Sequence, residues 1–350
     1  MRKILILLFV SSSVLAAKQI RSEINRYRLL RDRQLIEKAI IAQEHDSFFS
    51  FDLFISSGLK DLIGDISDST SESSSSSQVT GVTEALSKNV NTERQLLLDV
   101  EAGIPLPYFT YQNLKFLPSL FYQMHIGASV SVNNQDDPLV PLAQIYVNQT
   151  TSYGLHSKIK RMNKKGETYG VSLYKRVRTD LLVSRNATAI ATSEKLINLD
   201  ELDKEERVYA LDLSFYKNKP DYRYEAHIKG VKLMDASSET EAKLGITPLF
   251  HLKYEKDYNL GKFVASPFFG LHYRKKYSAF DAIYIGSKFS ISKNSPTRFI
   301  LKLDNETINF NAGLEFSKFQ FQYGLKSPYR NPVDDMWTSA THQITMRFPF

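Results

Sequence analysis

The chain of 350 residues contains no cysteine and only one tryptophan. The lack of cysteine excludes disulfides, thiolate metal sites and cysteine nucleophiles. No run of about 18 apolar residues follows the N-terminal region, so the sequence predicts no transmembrane helix. A formal net charge of +7, spread along the chain, is too mild to favour a nucleic-acid partner. A chain with these absences needs a large core or a closed sheet to hold its fold.

The N-terminus has the composition of a secretory signal peptide. A basic start precedes the apolar run Ile4–Val10, and Ala16 and Ala17 are suitable cleavage positions. The apolar run is too short to cross a membrane with its flanks. We therefore expect residues 1–17 to be removed on export.

Two further segments stand apart from the rest of the chain. Residues 18–45 have no Gly or Pro and carry an imperfect helical stripe, which predicts a helical segment that is periplasmic or acts as a plug. A partner-binding coiled coil is the alternative for this segment, although three heptads are not visible. Residues 67–78 are rich in serine and predict a polar loop without a core.

Alternation of apolar and polar residues dominates the remainder of the sequence. Tyr209, Leu211, Leu213 and Phe215, for example, alternate with polar or small neighbours. Strands of about ten residues with one apolar face are typical of transmembrane barrels. Twelve such segments are clear and two earlier ones raise the number to fourteen: 46–57, 93–104, 119–132, 142–160, 167–178, 207–217, 222–234, 246–257, 262–274, 280–291, 296–303, 307–316, 319–326 and 339–350.

Both counts are even, which places the two ends of a barrel on the same side of the membrane. The connections also separate into a short set and a longer set, the longest being the predicted loop 179–206. Short periplasmic turns and longer outer loops have this asymmetry.

The C-terminal segment supports the same architecture. Ile344, Met346, Phe348 and Phe350 share one face of a predicted strand that ends on an aromatic residue. This arrangement resembles the closing strand of a bacterial outer-membrane β-barrel. The resemblance implies that barrel-assembly machinery reads these four residues as its signal and that outer-membrane lipid surrounds the protein. A fourteen-strand barrel with an N-terminal segment is also similar to the fatty-acid-transporter type, in which a plug lies in the barrel.

The sequence therefore predicts an all-β chain: a transmembrane antiparallel up-and-down barrel of about 12–14 strands over residues 46–350, with a short N-terminal helical segment. A secreted β-sandwich is the competing fold, since its strands also alternate. Sandwich strands are nearer six residues, and 41 Phe and Tyr against one Trp fit a barrel with aromatic girdles better.

The sequence carries no signal for an enzyme, a cofactor or a metal. No Gly-x-Ser-x-Gly elbow, His-Glu-x-x-His pair or phosphate loop is present. The seven histidines are mostly isolated on the polar faces of predicted strands, where they are expected to be ordinary interior residues.

The polar faces of the predicted strands are more informative, because they should line the lumen. Nine basic and four acidic residues give this wall a predicted positive excess, which favours anions in a narrow channel. The alternative is that the charges pair across a filled interior. The predicted lumen-lining residues are Arg176, Arg178, Arg223, Lys229, Lys253, Arg298, Lys302, Lys326, Arg347, Asp212, Glu225, Glu255 and Glu315.

We therefore expect a channel or uptake barrel for small solutes, with a possible preference for anions. A structural or adhesive barrel with a closed lumen is the main alternative, and an outer-membrane hydrolase is the third.

Overall fold

The computed structural model describes most of residues 23–349. The prediction of a signal peptide over residues 1–17 lies outside the described residues, and so does Phe350 of the predicted assembly signal. The described residues are 23–41, 48–72, 74–134, 141–163, 166–193, 196, 202, 204–236, 246–275, 277–292, 295–330 and 336–349.

Fourteen long strands form one closed antiparallel sheet. Each strand pairs with its neighbours in chain order, and the first strand pairs with the last. The strands are β1 Phe48–Ser56, β2 Thr92–Pro105, β3 Leu114–Asn133, β4 Leu142–Arg161, β5 Glu167–Asn186, β6 Lys204–Asn218, β7 Tyr222–Asp235, β8 Leu249–Lys256, β9 Val264–Arg274, β10 Ile283–Ser290, β11 Thr297–Leu303, β12 Thr307–Phe316, β13 Phe319–Pro328 and β14 Thr341–Pro349. Three short strands add to the two ends of the barrel: Phe109–Tyr111, Tyr258–Asn259 and Trp337–Thr338.

The closure depends on β14, which lies between β13 and β1. Its register with β1 runs from Phe48 opposite Pro349 to Ser56 opposite Thr341. On its other side, Gln320 lies opposite Arg347. A closed sheet has no free edge, so every strand finds backbone partners on both sides. The predicted up-and-down barrel is confirmed, and the number of strands is fourteen.

The two ends of the barrel differ in the length of their connections. At one end, called here the turn end, lie the start of β1, the end of β14 and the short connection 317–318 between β12 and β13. At the other, called here the loop end, lie the described residues 57–72, 74–91 and 187–193. One loop-end connection, 304–306, is short, and it has a special role described below.

The two faces of the sheet have opposite chemistry. Large apolar side chains on the outer face are exposed around the whole circumference, whereas the inner face buries His, Asn, Gln and charged residues. Alternation along each strand produces this division, since successive side chains point to opposite faces. The outer belt includes Tyr122, Leu155, Leu173, Leu213, Tyr224, Leu252, Phe269, Ile285, Leu301, Phe310 and Tyr323.

The prediction of a serine-rich loop over residues 67–78 is wrong. Helix α2 (Leu59–Thr70) and helix α3 (Ser75–Ser87) occupy most of this stretch. The serines form local hydrogen bonds, such as that from Ser69 Oγ to the carbonyl oxygen of Asp65 at 2.7 Å. Composition was misleading because apolar residues on either side of the serines bury one face of each helix against the neighbouring helix.

The predicted loop 179–206 is also too long. Strand β5 continues to Asn186 in register with β4, helix α4 (Ala187–Ser193) follows it, and β6 begins at Lys204. Beyond the belt, the outward faces of β3, β4 and β5 are covered by the three helices at the loop end. This apolar cluster contains Leu62, Ile66, Val82, Leu86, Val130, Ile145, Val147 and Ile190, among others.

Two further helices complete the described structure. Helix α1 (Glu23–Ile41) precedes the barrel, and the short helix α5 (Ala279–Ala282) lies between β9 and β10. A capping box between Ser278 and Asp281 starts α5. No helix in the described part of the chain is long and apolar enough to cross a membrane.

The belt gives the first prediction. Phe269 lies midway along β9 with its ring exposed on the outer face. In a bilayer, Phe269→Arg should destabilise the barrel by about 2–4 kcal/mol, the cost of a basic residue at the lipid midplane. Denaturant unfolding in lipid vesicles measures this change. Phe280→Arg, in α5 at the loop end, is the matched control and should cost about 1 kcal/mol or less. Equal losses at both positions would contradict a lipid-facing belt.

Candidate functional site

Helix α1 lies inside the barrel, across its interior near the loop end. Its described side chains, Arg26 to Ile36, are almost all buried. They contact β2, β3, β9 and the connection 304–306, which surround the lumen on different sides. The described part of α1 therefore lies inside the barrel, where a plug would lie, and we call it the plug helix or plug. Its terminal parts, 18–22 and 42–45, lie outside the described residues.

Two arginines attach α1 to an acidic turn. Arg26 Nη1 and Arg33 Nη1 both donate to Glu306 Oε2, at 2.6 and 2.7 Å. Arg26 also reaches Glu93 at 3.1 Å, and Arg33 lies 3.7 Å from Asp304. All of these groups are buried, so each charge depends on its partners for stabilisation. The short connection 304–306 is thus the anchor point of the plug.

A second ion pair holds the same helix from another side. Asp32 accepts two hydrogen bonds from the guanidinium of Arg274 on β9, both at 2.7 Å. The hydroxyl of Tyr277 donates to the same carboxylate at 2.5 Å. A bidentate pair of this kind fixes orientation as well as distance.

A third contact ties Tyr27 to the wall through a histidine. The Tyr27 hydroxyl lies 2.7 Å from His125 Nε2, and His125 Nδ1 lies 2.7 Å from Asp99 Oδ1. With Asp99 accepting from Nδ1, the neutral imidazole leaves Nε2 to accept the tyrosine hydroxyl. Gly127 makes room for this ring, because a Cβ there would lie 2.0 Å from the Tyr27 oxygen. The three groups are buried and serve to dock the helix.

Helix α1 leaves little free space against the neighbouring wall. Between Leu30 and Gln34 of the helix and strands β1, β2 and β12 to β14, the remaining cavity measures about 20 Å³. That is room for roughly one water molecule. In the described structure, the plug therefore packs tightly on this side.

Two larger cavities lie on the turn-end side of the plug. The large cavity measures about 750 Å³ and is lined by the turn-end halves of most strands. The small cavity measures about 210 Å³, lies next to Leu35 of α1, and borders β1 and β11 to β14. The interior on this side of the helix is therefore open enough to accept a small solute.

Six residues border both cavities and so mark the passage between them. Four are basic: Lys229, Lys288, Arg298 and Arg347. We call these four the basic ring, since they come from β7, β10, β11 and β14. The other two, Glu101 and Gln123, are hydrogen-bonded to each other at 2.6 Å. A narrow passage lined in this way has a positive local charge.

The thirteen predicted lumen residues all lie on the inner side of the barrel. Arg178, Lys253 and Lys302 are buried in interior ion pairs, with Glu206, Glu225 and Asp304 among their partners. Lys326 borders the space beside the plug, and Glu315 the small cavity. Lining the large cavity are Arg176, Arg223, Lys229, Arg298, Arg347, Asp212, Glu225 and Glu255.

Sequence reasoning missed several acidic residues of the interior. Glu101, Asp257 and Asp52 border the two cavities, and Asp304 and Glu306 hold the plug. Together the two cavities have seven basic and seven acidic wall residues, rather than the predicted excess of bases. The basic set is Lys158, Arg176, Arg223, Lys229, Lys288, Arg298 and Arg347, and the acidic set is Asp52, Glu101, Asp212, Glu225, Glu255, Asp257 and Glu315. The sequence signal that could have found Asp52 and Glu101 was their place on the polar face of an alternating strand. The alternation of apolar and polar residues was weakest in the two strands that carry them.

Pairing removes most of the acidic charge from this balanced wall. Glu255 is bound by Arg223, Lys253 and Lys288 at 2.9 to 3.1 Å. Glu315 is 3.0 Å from Arg298.

Three cations, in contrast, have no carboxylate within 4 Å among the residues the structure describes. They are Arg176, which bonds to Ser152 and Tyr174, Arg347, which covers the ring of Phe48, and Lys229. These three cations therefore lie on the wall without a described carboxylate in contact, although the wall as a whole carries equal numbers of acidic and basic residues.

The described histidines are the candidates for catalytic or metal-binding groups in this structure. No group of three or more His, Asp or Glu residues in the described part of the chain is arranged to hold a metal ion. His156 Nδ1 lies 2.8 Å from Ser172 Oγ in the large cavity, but Asp212 of the next strand binds Tyr174 and the Gly230 amide. The remaining described histidines contact tyrosines or each other.

Strand β14 carries the described part of the predicted assembly signal. Ile344, Met346 and Phe348 lie on its outer face, with Phe348 41% exposed. Gln343 on the opposite face is buried. These residues are therefore available from the outside of the barrel, and their part in assembly stays a prediction.

No protein-family model and no curated protein matches the chain. Among solved structures, the transport unit of the autotransporter AIDA-I from Escherichia coli is 8% identical, with 93% of this chain and 98% of that chain covered and a TM-score of 0.42. The TodX deltaS2S3 mutant, a monoaromatic hydrocarbon channel, is 9% identical, with coverages of 88% and 91% and a TM-score of 0.41. CdiB from Acinetobacter baumannii is 10% identical over 88% of this chain but 60% of its own length, with a TM-score of 0.38.

These similarities assign neither a family nor a substrate to the chain. Its own architecture is clear: a closed antiparallel barrel with an apolar outer belt and a polar interior, the architecture of bacterial outer-membrane β-barrel proteins.

Docking of the plug should depend on pH through its acidic turn. Burial alone would raise the pKa of Glu306, but the charges of Arg26 and Arg33 outweigh it and lower the pKa from 4.5 to about 2. The pKa of Asp304 is lowered as well, where Arg33 and Lys302 outweigh its burial. A lowered pKa means that the stabilisation is present above the ordinary value and is lost as pH falls towards the lowered one.

We therefore expect α1 to stay docked above about pH 5 and to be released progressively between pH 4.5 and 2. Glu306→Gln should weaken docking at every pH, because the charge is then absent at every pH, so that release begins at a higher pH than in the wild type. Pepsin cleavage within residues 23–41 of the folded barrel measures the release. Identical pH dependence of wild type and variant would contradict this role of Glu306.

Proposed function

We propose that this protein is an outer-membrane channel or uptake protein for small solutes. The observation that carries the proposal is a cavity of about 750 Å³, lined by polar and charged residues, inside a closed barrel with an apolar belt. A barrel that served only as a scaffold has no need of polar space of this size in its interior. Export through a cleaved signal peptide and insertion by barrel-assembly machinery, which reads the β14 segment up to Phe350, are parts of the same proposal.

In this proposal, helix α1 is the plug that closes the loop end. It is held by ion pairs as well as by apolar contacts of Tyr27 and Ile36, and the ion pairs can exchange partners with water when the helix moves. Solutes pass the basic ring on the turn-end side, and the plug controls the connection to the loop end.

We also propose a preference for anions. Equal numbers of acidic and basic residues border the cavities, and what supports the preference is that Arg176, Lys229 and Arg347 have no carboxylate in contact among the described residues, whereas Glu255 and Glu315 are bound by cations. Unpaired charge of one sign at a constriction selects ions of the other sign.

A closed, structural barrel is the second candidate, and the tight packing of α1 favours it. We propose no enzymatic activity and no cofactor. Near the Ser172–His156 pair, Asp212 accepts hydrogen bonds from Tyr174 and the Gly230 amide.

Removing one arginine of the plug tests the channel against the closed barrel. Arg33→Ala leaves Glu306 and Asp304 with one buried cation fewer, which costs about 3–5 kcal/mol of docking free energy. We expect a clear rise in single-channel conductance in planar bilayers. Arg31→Ala is the matched control, since no ion pair of Arg31 is found among the described residues, and it should leave conductance unchanged. A barrel that stays silent in both variants is a closed structural barrel.

The basic ring gives a test of selectivity. In a salt gradient, the reversal potential of the open channel should lie towards the anion value. Arg347→Gln removes an unpaired charge and should lower the anion-to-cation permeability ratio about five-fold, corresponding to ~1 kcal/mol for one charge at contact in a water-like medium. Lys217→Gln, whose cation pairs with Glu167 at the turn-end rim, is the control and should change the ratio little. Cation preference of the wild type would overturn the proposed selectivity.

A further inference from the structure

The small cavity has the composition of a binding site rather than of a simple passage. Leu35 of the plug borders it, together with Ile300 and side chains of β12 to β14. Its polar lining includes amides and a hydroxyl from Asn311, Gln322 and Thr345, beside the basic ring. Three carboxylates also border it, Asp52, Glu101 and Glu315, so the four cations of the ring outnumber them by one. A cavity of about 210 Å³ corresponds to roughly seven water molecules at their liquid volume of about 30 Å³ each, which suits a solute of four or five carbons.

One side chain in this wall is buried without a partner. Gln322 is 3% exposed, yet neither its amide nitrogen nor its amide oxygen has a hydrogen-bond partner among the described residues. Buried amides are nearly always satisfied, so an unmatched amide at a cavity wall indicates a polar ligand, to which the Gln322 amide nitrogen can donate. The neighbouring Arg347 has the same feature, since its buried Nε is also unmatched there.

The cations around the cavity come from different sides of the barrel. Arg347 lies on β14 and Lys229 on β7, which are seven strands apart in a ring of fourteen and therefore face each other across the lumen. Both border the same cavity, and neither has a carboxylate within 4 Å in the part of the chain that the structure describes. Two unpaired cations that face one small space from opposite walls match a ligand with an acidic group at each end.

We propose that the small cavity binds a small solute with two acidic groups, of the dicarboxylate class. One acidic group pairs with Arg347 and the other with Lys229, while Gln322 binds a carboxylate oxygen or a hydroxyl of the solute. Arg298 and Lys288, which already pair with Glu315 and Glu255, contribute to the field rather than to direct binding. The site rests on the proposed function, because it names the substrate class of that channel, and it places the solute directly under the plug.

The test is binding to the whole barrel in detergent, measured by isothermal titration calorimetry. The probes are succinate, with two acidic groups, acetate, with one, and the uncharged succinamide. We expect succinate to bind at least ten-fold more tightly than acetate and succinamide to give no signal. Arg347→Gln and Gln322→Leu should each weaken succinate binding by about ten-fold, because each removes one matched group. Lys217→Gln should bind succinate like the wild type.

Folding of each variant is checked by its compact migration in unboiled gels, so a loss of binding is not mistaken for a loss of the barrel. Equal affinities for succinate and acetate, or unchanged binding by Arg347→Gln, overturn the site. So does an absence of binding at millimolar succinate.

Binding and conductance, measured on the same protein, distinguish a failure of this site from a failure of the proposed channel. Succinate binding by a barrel that never conducts would contradict the channel and support the site. Anion-selective conductance without succinate binding would contradict the site and support the channel.

Discussion

Charge burial inside the barrel is the constraint on which the rest of this structure depends. Arg26 and Arg33 enter the lumen on α1, and neither charge is stable there without Glu306 and its neighbours in the turn between β11 and β12. The same pairs fix where the helix lies, so they determine that it crosses the lumen near the loop end and that the two larger cavities lie towards the turn end. A short connection among longer ones thereby becomes the anchor of the plug.

The interior and the exterior follow from one feature, the alternation of the strands. Each strand presents its apolar side chains outwards, where Phe269 and its counterparts form the belt, and its polar side chains inwards. Since the sheet closes on itself, the inward side chains of distant strands meet across the lumen. Lys229 and Arg347 are thus brought to one cavity from opposite walls, and the basic ring is a product of closure.

The strands could be predicted well and the helices poorly, for physical reasons. A period of two repeated over ten residues is a strong local signal, and all fourteen predicted segments overlap a strand of the barrel. Helices α2 and α3 are stabilised by packing of Leu62, Ile66 and Leu86 against each other and against β3 and β4, which the serine-rich composition hides. Alternation predicted that each lumen residue points inwards. It could not predict the ion pairs between strands that are distant in the chain.

The sequence by itself determined the barrel, its even number of strands and the division between apolar and polar faces, because these depend on local alternation. Only the tertiary structure decided where α1 lies, which charges are paired and which residues share a cavity. Those features depend on contacts such as Arg33 with Glu306, which are 273 residues apart, and on closure through β1 and β14. Local sequence patterns carry no information on contacts between residues so far apart in the chain, since many different pairings of the same charges are compatible with one pattern.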